Sequence, residues 1–491
     1  MMLLNNLTWL QALFTNRILL FTVCRYIVYV LLFTRGMLLA NFLGPYLFGT
    51  FGFLNMIIQY LLVICSFGLQ YAITVQLSKE SNLTSEASQK FISSALLMTI
   101  IIACFLGLAG LSIHFFNTPV FEKYYFNQYS IIIGLNGGLS LVMLVLVNTH
   151  RAYGSLARIA MAEFSTAIIM LIVIFAFRGD GLLVSALVGL TICGLLNITI
   201  LMLRTPFKLT FQFDLSAAKQ LLLIGFPLLI SNTSFIMIAL SAQSVVSYYY
   251  SVQVMGYYTL ANNITTAVLL GFNSISWVVF PDILSKVRHG TDDHDVVVLV
   301  QRINHIYGTA VFLSVFFIIL ALPGLYWFLP QYKPVHGTLT ILLLSQAVIS
   351  YGLGNNCLAI AREKQLAIAK ISLMVVIVVA GFSLAAGFYQ IDIIWIAITL
   401  LFGSIVFTLL QNTVSSGLIA NKINKEELSR GNCSLGTYVA IFLMIMGNMI
   451  GYADIGAALS LSVYLIANRK NVILLWFYCI QMVSQRKISQ G

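Results

Sequence analysis

Apolar runs of membrane-span length recur along nearly the whole chain, and that one pattern narrows the possible folds more than any motif does. A helix needs roughly 20 apolar residues to cross about 30 Å of hydrocarbon. Lipid satisfies no backbone N–H or C=O group, so a chain made of such runs must fold as helices. The runs delimit spans at 18–39, 51–75, 91–113, 128–148, 159–177, 181–203, 220–246, 257–280, 304–328, 338–360, 371–388, 392–418, 436–451 and 455–468. The loops between them are too short to house a soluble domain. Val472 to Val483 falls short of span length and reads as a helix lying in the interface, with a tilted extra span as the other reading. Composition agrees: 60% of residues are hydrophobic, 8% are charged and the mean hydropathy is +0.96. The expectation is an all-α polytopic membrane protein of about 12 to 14 transmembrane helices.

Basic residues stay on the cytoplasmic side of short loops. With both termini cytoplasmic, one set of alternate loops takes nearly all of the 26 lysines and arginines, including Lys79, Lys90, Arg151, Arg158, Arg204, Lys286, Arg362 and Lys422. The opposite loops hold Lys123, Arg178 and Lys333, and Arg25 and Arg35 fall inside the first span. The formal charge of +11 is spread a few residues per loop, so topology accounts for it and no nucleic-acid partner is implied. The seven cysteines show no paired CxxC spacing, which indicates neither a disulfide framework nor a zinc site. The first apolar run is too long for a cleavable signal peptide and reads as a permanent helix.

A weak internal repeat surrounds the second and eighth spans. Gly49 and Asn55 are spaced like Gly256 and Asn262, and each glycine is followed 30 residues later by the lysine of a Leu-Ser-Lys sequence, at Lys79 and Lys286. Repeats of this kind mark transporters built from two related halves. Both matched segments run from outside to inside, so the halves are parallel and pseudo-symmetric. This divides the chain into an N-lobe over 1–204, a cytoplasmic linker over 205–219, a C-lobe over 220–420, and C-terminal helices with a tail over 421–491. Two six-helix lobes would face one central cavity.

The chain contains no HExxH, Walker A or GxSxG pattern, and its paired carboxylates fall in cytoplasmic loops, which argues against an enzyme and against a cofactor or metal. Arg25 and Arg35 stand out, since an arginine at the bilayer centre costs at least about 2.5 kcal/mol even on insertion scales. Ten residues place them about 15 Å apart along the helix and about 80° apart around it, so both can face one cavity and hold an anion. The structural alternative is that Arg35 snorkels to the outer interface and Arg25 pairs with helix carbonyls or an unseen partner. Glu163 lies about one turn into the fifth span, and no acid occupies the membrane centre. Asn55, Gln59, Asn232, Gln243 and Asn263 belong to a larger set of amides inside spans, suited either to sugar hydroxyls or to interhelical hydrogen bonds. Tyr248, Tyr249, Tyr250, Tyr257 and Tyr258 read as an interfacial aromatic belt or as stacking surfaces for sugars. Pro227 removes a backbone donor near the inner end of the seventh span, a candidate hinge.

Three stretches carry a resemblance: Leu39-Ala40-Asn41-Phe42-Leu43-Gly44-Pro45 with Phe48-Gly49; Lys219 through Gly225-Phe226-Pro227-Leu228; and Met255-Gly256-Tyr257-Tyr258 through Ala261 to Phe280-Pro281. Over most of its length the chain resembles the polysaccharide repeat-unit (O-antigen and capsule) flippases of the multidrug/oligosaccharidyl-lipid/polysaccharide exporter superfamily. That resemblance implies alternating access, in the inner membrane of a bacterium, for an undecaprenyl-diphosphate-linked oligosaccharide taken from the cytoplasmic to the outer leaflet. It also implies association with polymerase and chain-length machinery, and leaves proton or sodium coupling open. Lipid II flippases of the same superfamily resemble this chain in a first-helix arginine at about the place of Arg35. The chain departs from the pattern at Asn41, where an arginine often stands, and at Ala242-Gln243, where an acidic residue and an arginine are common. A polysaccharide polymerase would need a large outer loop, and an organic-cation exporter would need a buried carboxylate.

Overall fold

The computed structural model describes residues 17–79, 85–117, 121–177, 179, 181–203, 205–207, 212–268, 293–362, 364–418, 434–473 and 475–476. All regular structure among them is helical, and it divides into two compact units. Unit 1 comprises Met1–Ile236 with Tyr250–Asn263, and unit 2 comprises Met237–Tyr249 with Ile264–Gly491. Eight described helices are long and apolar enough to cross a membrane, or nine if one bent pair is a single span.

Unit 1 begins with α1 (Arg17–Cys65), which holds the first span and most of the second. The sequence predicts a loop over 40–50, but the backbone leaves helical geometry only at Gly44, where φ is 67° and ψ is 172°. Glycine adopts that conformation without penalty, and Pro45, whose missing N–H has no partner to lose in a first turn, starts the next helix at once. A second interruption at Ser66–Gly68 separates α2 (Leu69–Lys79), with Phe67 and Gly68 both at positive φ. Then follow α3 (Glu86–Phe115), α4 (Phe126–Ala152), α5 (Leu156–Ala176) and α6 (Leu182–Met202). Ser85 caps α3 by accepting a hydrogen bond from the Ser88 N–H at 3.2 Å.

Small residues let the unit 1 helices approach closely, as expected where lipid removes any hydrophobic drive between helices. Gly134 and Gly138 of α4 lie against Leu106 and Ala103 of α3, and Gly110 lies against Ser130. A Cβ at Gly49 of α1 would collide with the Val252 carbonyl of α8 (residues 252–268), and a Cβ at Gly256 with the Pro45 carbonyl. Gly68 meets Gly225 of α7 (Leu215–Tyr249) in the same backbone-to-backbone way. α7 starts inside the segment 205–219, where Asp214 Oδ1 accepts from the N–H groups of Ser216 and Ala217.

Unit 2 contains α9 (Asp293–Phe328), α10 (His336–Ser350), α11 (Leu353–Ala361), α12 (Gln365–Phe388), α13 (Ile393–Gly417), α14 (Leu435–Ile450) and α15 (Ala453–Ala467). The tenth expected span is bent by 43° where α10 gives way to α11 at Tyr351-Gly352. The freed Gly354 N–H donates to Asn304 Oδ1 of α9 at 2.6 Å, and the Tyr351 hydroxyl shares a 2.7 Å hydrogen bond with that of Tyr464. α14 and α15 form an antiparallel hairpin turned at Gly451, which is in the left-handed region. Asn468 closes its open end by accepting from Ser434 Oγ at 3.0 Å and donating to Thr437 Oγ1 at 3.2 Å. The tail is helical at 469–473 and 475–476, and the rest of the expected interfacial helix lies outside the described residues.

Candidate functional site

α1 carries both intramembrane arginines, and both are turned toward the α5–α6 pair. Arg25 Nε and Nη2 donate to Oε2 and Oε1 of Glu163 on α5 at 3.2 and 2.9 Å, a two-pronged arrangement that suits a planar guanidinium. The two side chains are only 12% and 20% exposed. The Arg25 guanidinium also lies 5.5 Å from the centre of the Tyr29 ring. Arg151, at the C-terminal end of α4, is close enough to Arg25 for the two charges to interact. A loop position in the sequence thereby becomes part of the site. Of the two sequence alternatives for Arg25, the partner exists and is Glu163.

Arg35 is solved differently. It stands near the Cys193 thiol of α6, and its Nε is buried without a hydrogen-bond partner. Glu163 is the sole acidic residue on α1, α4, α5 and α6, and it is engaged by Arg25. A buried guanidinium N–H left open inside a membrane helix is a group that an anion can satisfy.

The amides separate into two kinds. Asn136 ties α4 to α6, donating to the Leu187 carbonyl at 3.2 Å and accepting from Thr191 at 3.1 Å. Asn197, which the sequence reading passes over, accepts from Ser165 at 2.9 Å and donates to Thr166 at 2.6 Å, tying α6 to α5. Those two are interhelical bonds. Asn55 is half-buried and Gln59 is exposed, one turn apart on one face of α1. Asn263 is half-buried on α8, and Gln243 is buried in the unit 2 part of α7. The side chain of Asn232 lies outside the described residues. Pro227 stands within α7, which continues beyond it to Tyr249. In the tyrosine group Tyr248 is exposed and Tyr258 is buried. Between α3 and α4, Lys123 donates to the Tyr250 carbonyl at 3.2 Å and lies 5.2 Å from the Tyr124 ring centre; burial pushes its ammonium pKa down.

A separate groove of about 640 Å³ runs between α3, α4 and α6, lined by residues such as Leu96, Ile100, Leu108, Leu135, Leu139 and Leu195. It is apolar and contains none of the candidate residues.

Residues 14–287, more than half of the chain, match the family model described as polysaccharide biosynthesis protein. The chain belongs to the polysaccharide biosynthesis protein family. No curated protein sequence matches it. Among solved structures, an inward-facing multidrug resistance MATE family transporter of the MOP superfamily aligns over 84% of this chain and 100% of its own, at 13% identity and a TM-score of 0.62. The lipid II flippase MurJ in an inward closed conformation aligns over 92% and 100%, at 15% identity and a TM-score of 0.60. A MOP superfamily transporter from Pyrococcus furiosus, described as having a binding pocket of reverse polarity, aligns over 82% and 96%, at 14% identity and a TM-score of 0.53. At these identities the likeness is one of fold: this polysaccharide biosynthesis protein is a multi-span membrane protein with the architecture of MOP superfamily transporters.

Proposed function

We propose that this protein is a flippase, moving undecaprenyl-diphosphate-linked oligosaccharide repeat units from the cytoplasmic to the outer leaflet of a bacterial inner membrane for O-antigen, capsule or exopolysaccharide synthesis. The observation that carries the reading is the buried, unpartnered Arg35 Nε on a helix whose surroundings offer one acid, already held by Arg25. A diphosphate would supply the missing acceptor. The family supports a polysaccharide substrate, and the MOP fold, shared with a lipid II flippase, supports transport of a lipid-linked one. A drug exporter of the same fold is disfavoured because its cation would meet arginines rather than a free carboxylate.

In this reading the sequence-derived lobes, 1–204 and 220–420, alternate around a cavity that receives Arg25 and Arg35 for the diphosphate. Asn55, Gln59, Asn232, Gln243 and Asn263 would serve the sugars, with Pro227 as the hinge. Both termini are cytoplasmic, and a polymerase with its chain-length partner receives the product. Deleting the gene should trap single repeat units on their carrier lipid at the cytoplasmic face and abolish surface polysaccharide. Arg35→Ala at normal protein level should fail to restore it. Single units appearing on the outer face would show a polymerase and overturn the proposal.

A further inference from the structure

The Arg25–Glu163 pair has a feature that a purely architectural ion pair does not need: a second arginine, Arg151, within electrostatic reach of the first. The one carboxylate that α1, α4, α5 and α6 possess is held by Arg25, and Arg151 adds a second positive charge that Arg25 feels. The pair is largely withdrawn from solvent and sits in helices of membrane-span length, so neither partner can be left bare cheaply. An anionic group that approaches Arg25 along its Nε–Nη2 edge competes with Glu163 for the two N–H donors that the carboxylate holds. When that group leaves, Glu163 is at hand to take them back.

We propose that Glu163 is a resident counter-ion that the anionic group of the substrate displaces from Arg25, so that the empty carrier and the loaded carrier both keep the guanidinium compensated. This rests on the anion-binding reading above and adds a role for a residue that reading leaves unused. Glu163 acts here as a positioning residue. It sets the affinity of the site downward, which suits a carrier that must release its load as well as bind it. The Tyr29 ring, 5.5 Å from the Arg25 guanidinium carbon, adds a cation–π contact that does not depend on which anion is bound.

The test measures binding of inorganic pyrophosphate to the purified full-length protein in lipid nanodiscs. The wild type is compared with Glu163→Gln, Glu163→Asp and Arg25→Gln. Removing the competitor should tighten binding about tenfold in Glu163→Gln, keep it near wild type in Glu163→Asp, and abolish the gain in a Glu163→Gln/Arg25→Gln double variant. Equal or weaker binding by a folded Glu163→Gln would overturn the displacement. If Arg25→Gln alone still weakened binding, the anion reading would survive that failure. Pyrophosphate binding that is the same in every variant would overturn both. Should Glu163→Gln not fold, infrared difference spectra decide the matter. The wild type should show a carboxylate band that shifts when pyrophosphate is added, and Glu163→Asp should move that band. An unshifted spectrum for a protein that binds pyrophosphate overturns the displacement.

Discussion

The membrane interiors of the two units keep polar groups in lipid by different means. Unit 1 adds charge to neutral amides such as Asn136 and Asn197: the Arg25–Glu163 pair, and Arg35 with an open Nε beside Cys193. Unit 2 does it with neutral groups. Its apolar stretches 304–328, 338–360, 371–388 and 393–417 contain no Asp, Glu, Lys or Arg. Its broken helix is held by Asn304 on Gly354 N–H and by Tyr351 on Tyr464, whose ring stacks on Phe312 with centroids 5.1 Å apart. Neutral hydrogen bonds are enough to hold a bend. Charges inside lipid cost more, and in the proposed function their concentration in unit 1 is what the anionic substrate would meet.

The contrast can be broken most directly at Arg25. Arg25→Leu strands Glu163 as a buried carboxylate and should cost about 3–5 kcal/mol, whereas Arg25→Leu with Glu163→Leu should recover most of it. Thermal unfolding in detergent reads both, and a double variant no more stable than the single would show that the pair is not the source. The neutral counterpart is Asn304→Ala, which leaves the Gly354 N–H buried without its acceptor and should cost about 1–3 kcal/mol. If it proved as damaging as Arg25→Leu, the distinction between the units would fail. A smaller effect belongs to Lys123, whose pKa is lowered in the fold by burial. The protonated form is disfavoured there, so the contribution of Lys123 to stability improves as pH rises through the lowered folded value toward the unfolded value near about 10.4. The difference in unfolding temperature between wild type and Lys123→Met should shift in favour of the wild type over that range, and a shift the other way would contradict the burial.

Much of the helical layout was legible because hydropathy and span length are strong one-dimensional signals. The boundaries of α3, α4, α5, α6, α12 and α13 fall within about six residues of the expected spans. What the sequence hid was short-range geometry and partnership. The single-residue break at Gly44 looks like a loop because Gly-Pro punctuates loops and helix starts alike. Asn304 reads as a residue at the edge of a span, and nothing local announces that a helix break 50 residues away will need its oxygen. The site was legible in part. Arg25 and Arg35 stood out by charge alone, but the pairing of Arg25 with Glu163 spans 138 positions and no spacing rule reports it. Arg151 passed as a topology signal because its charge serves that purpose equally well.

The crossing of α1 over α8 gives the internal repeat a physical meaning. Pro45, Gly49 and Gly52 are offset from Val252, Gly256 and Thr259 by one constant interval, and these are the residues that touch. Gly49 meets Val252 and Gly256, Gly256 meets Pro45 and Gly49, and Gly52 meets Thr259. A residue that touches its own equivalent is what an isologous dimer shows on its two-fold axis. The two glycines thus give one polypeptide a seam of the self-complementary kind that two identical subunits present to each other. A Cβ on either glycine would strike backbone on the opposite side, so the seam needs glycine at both positions at once.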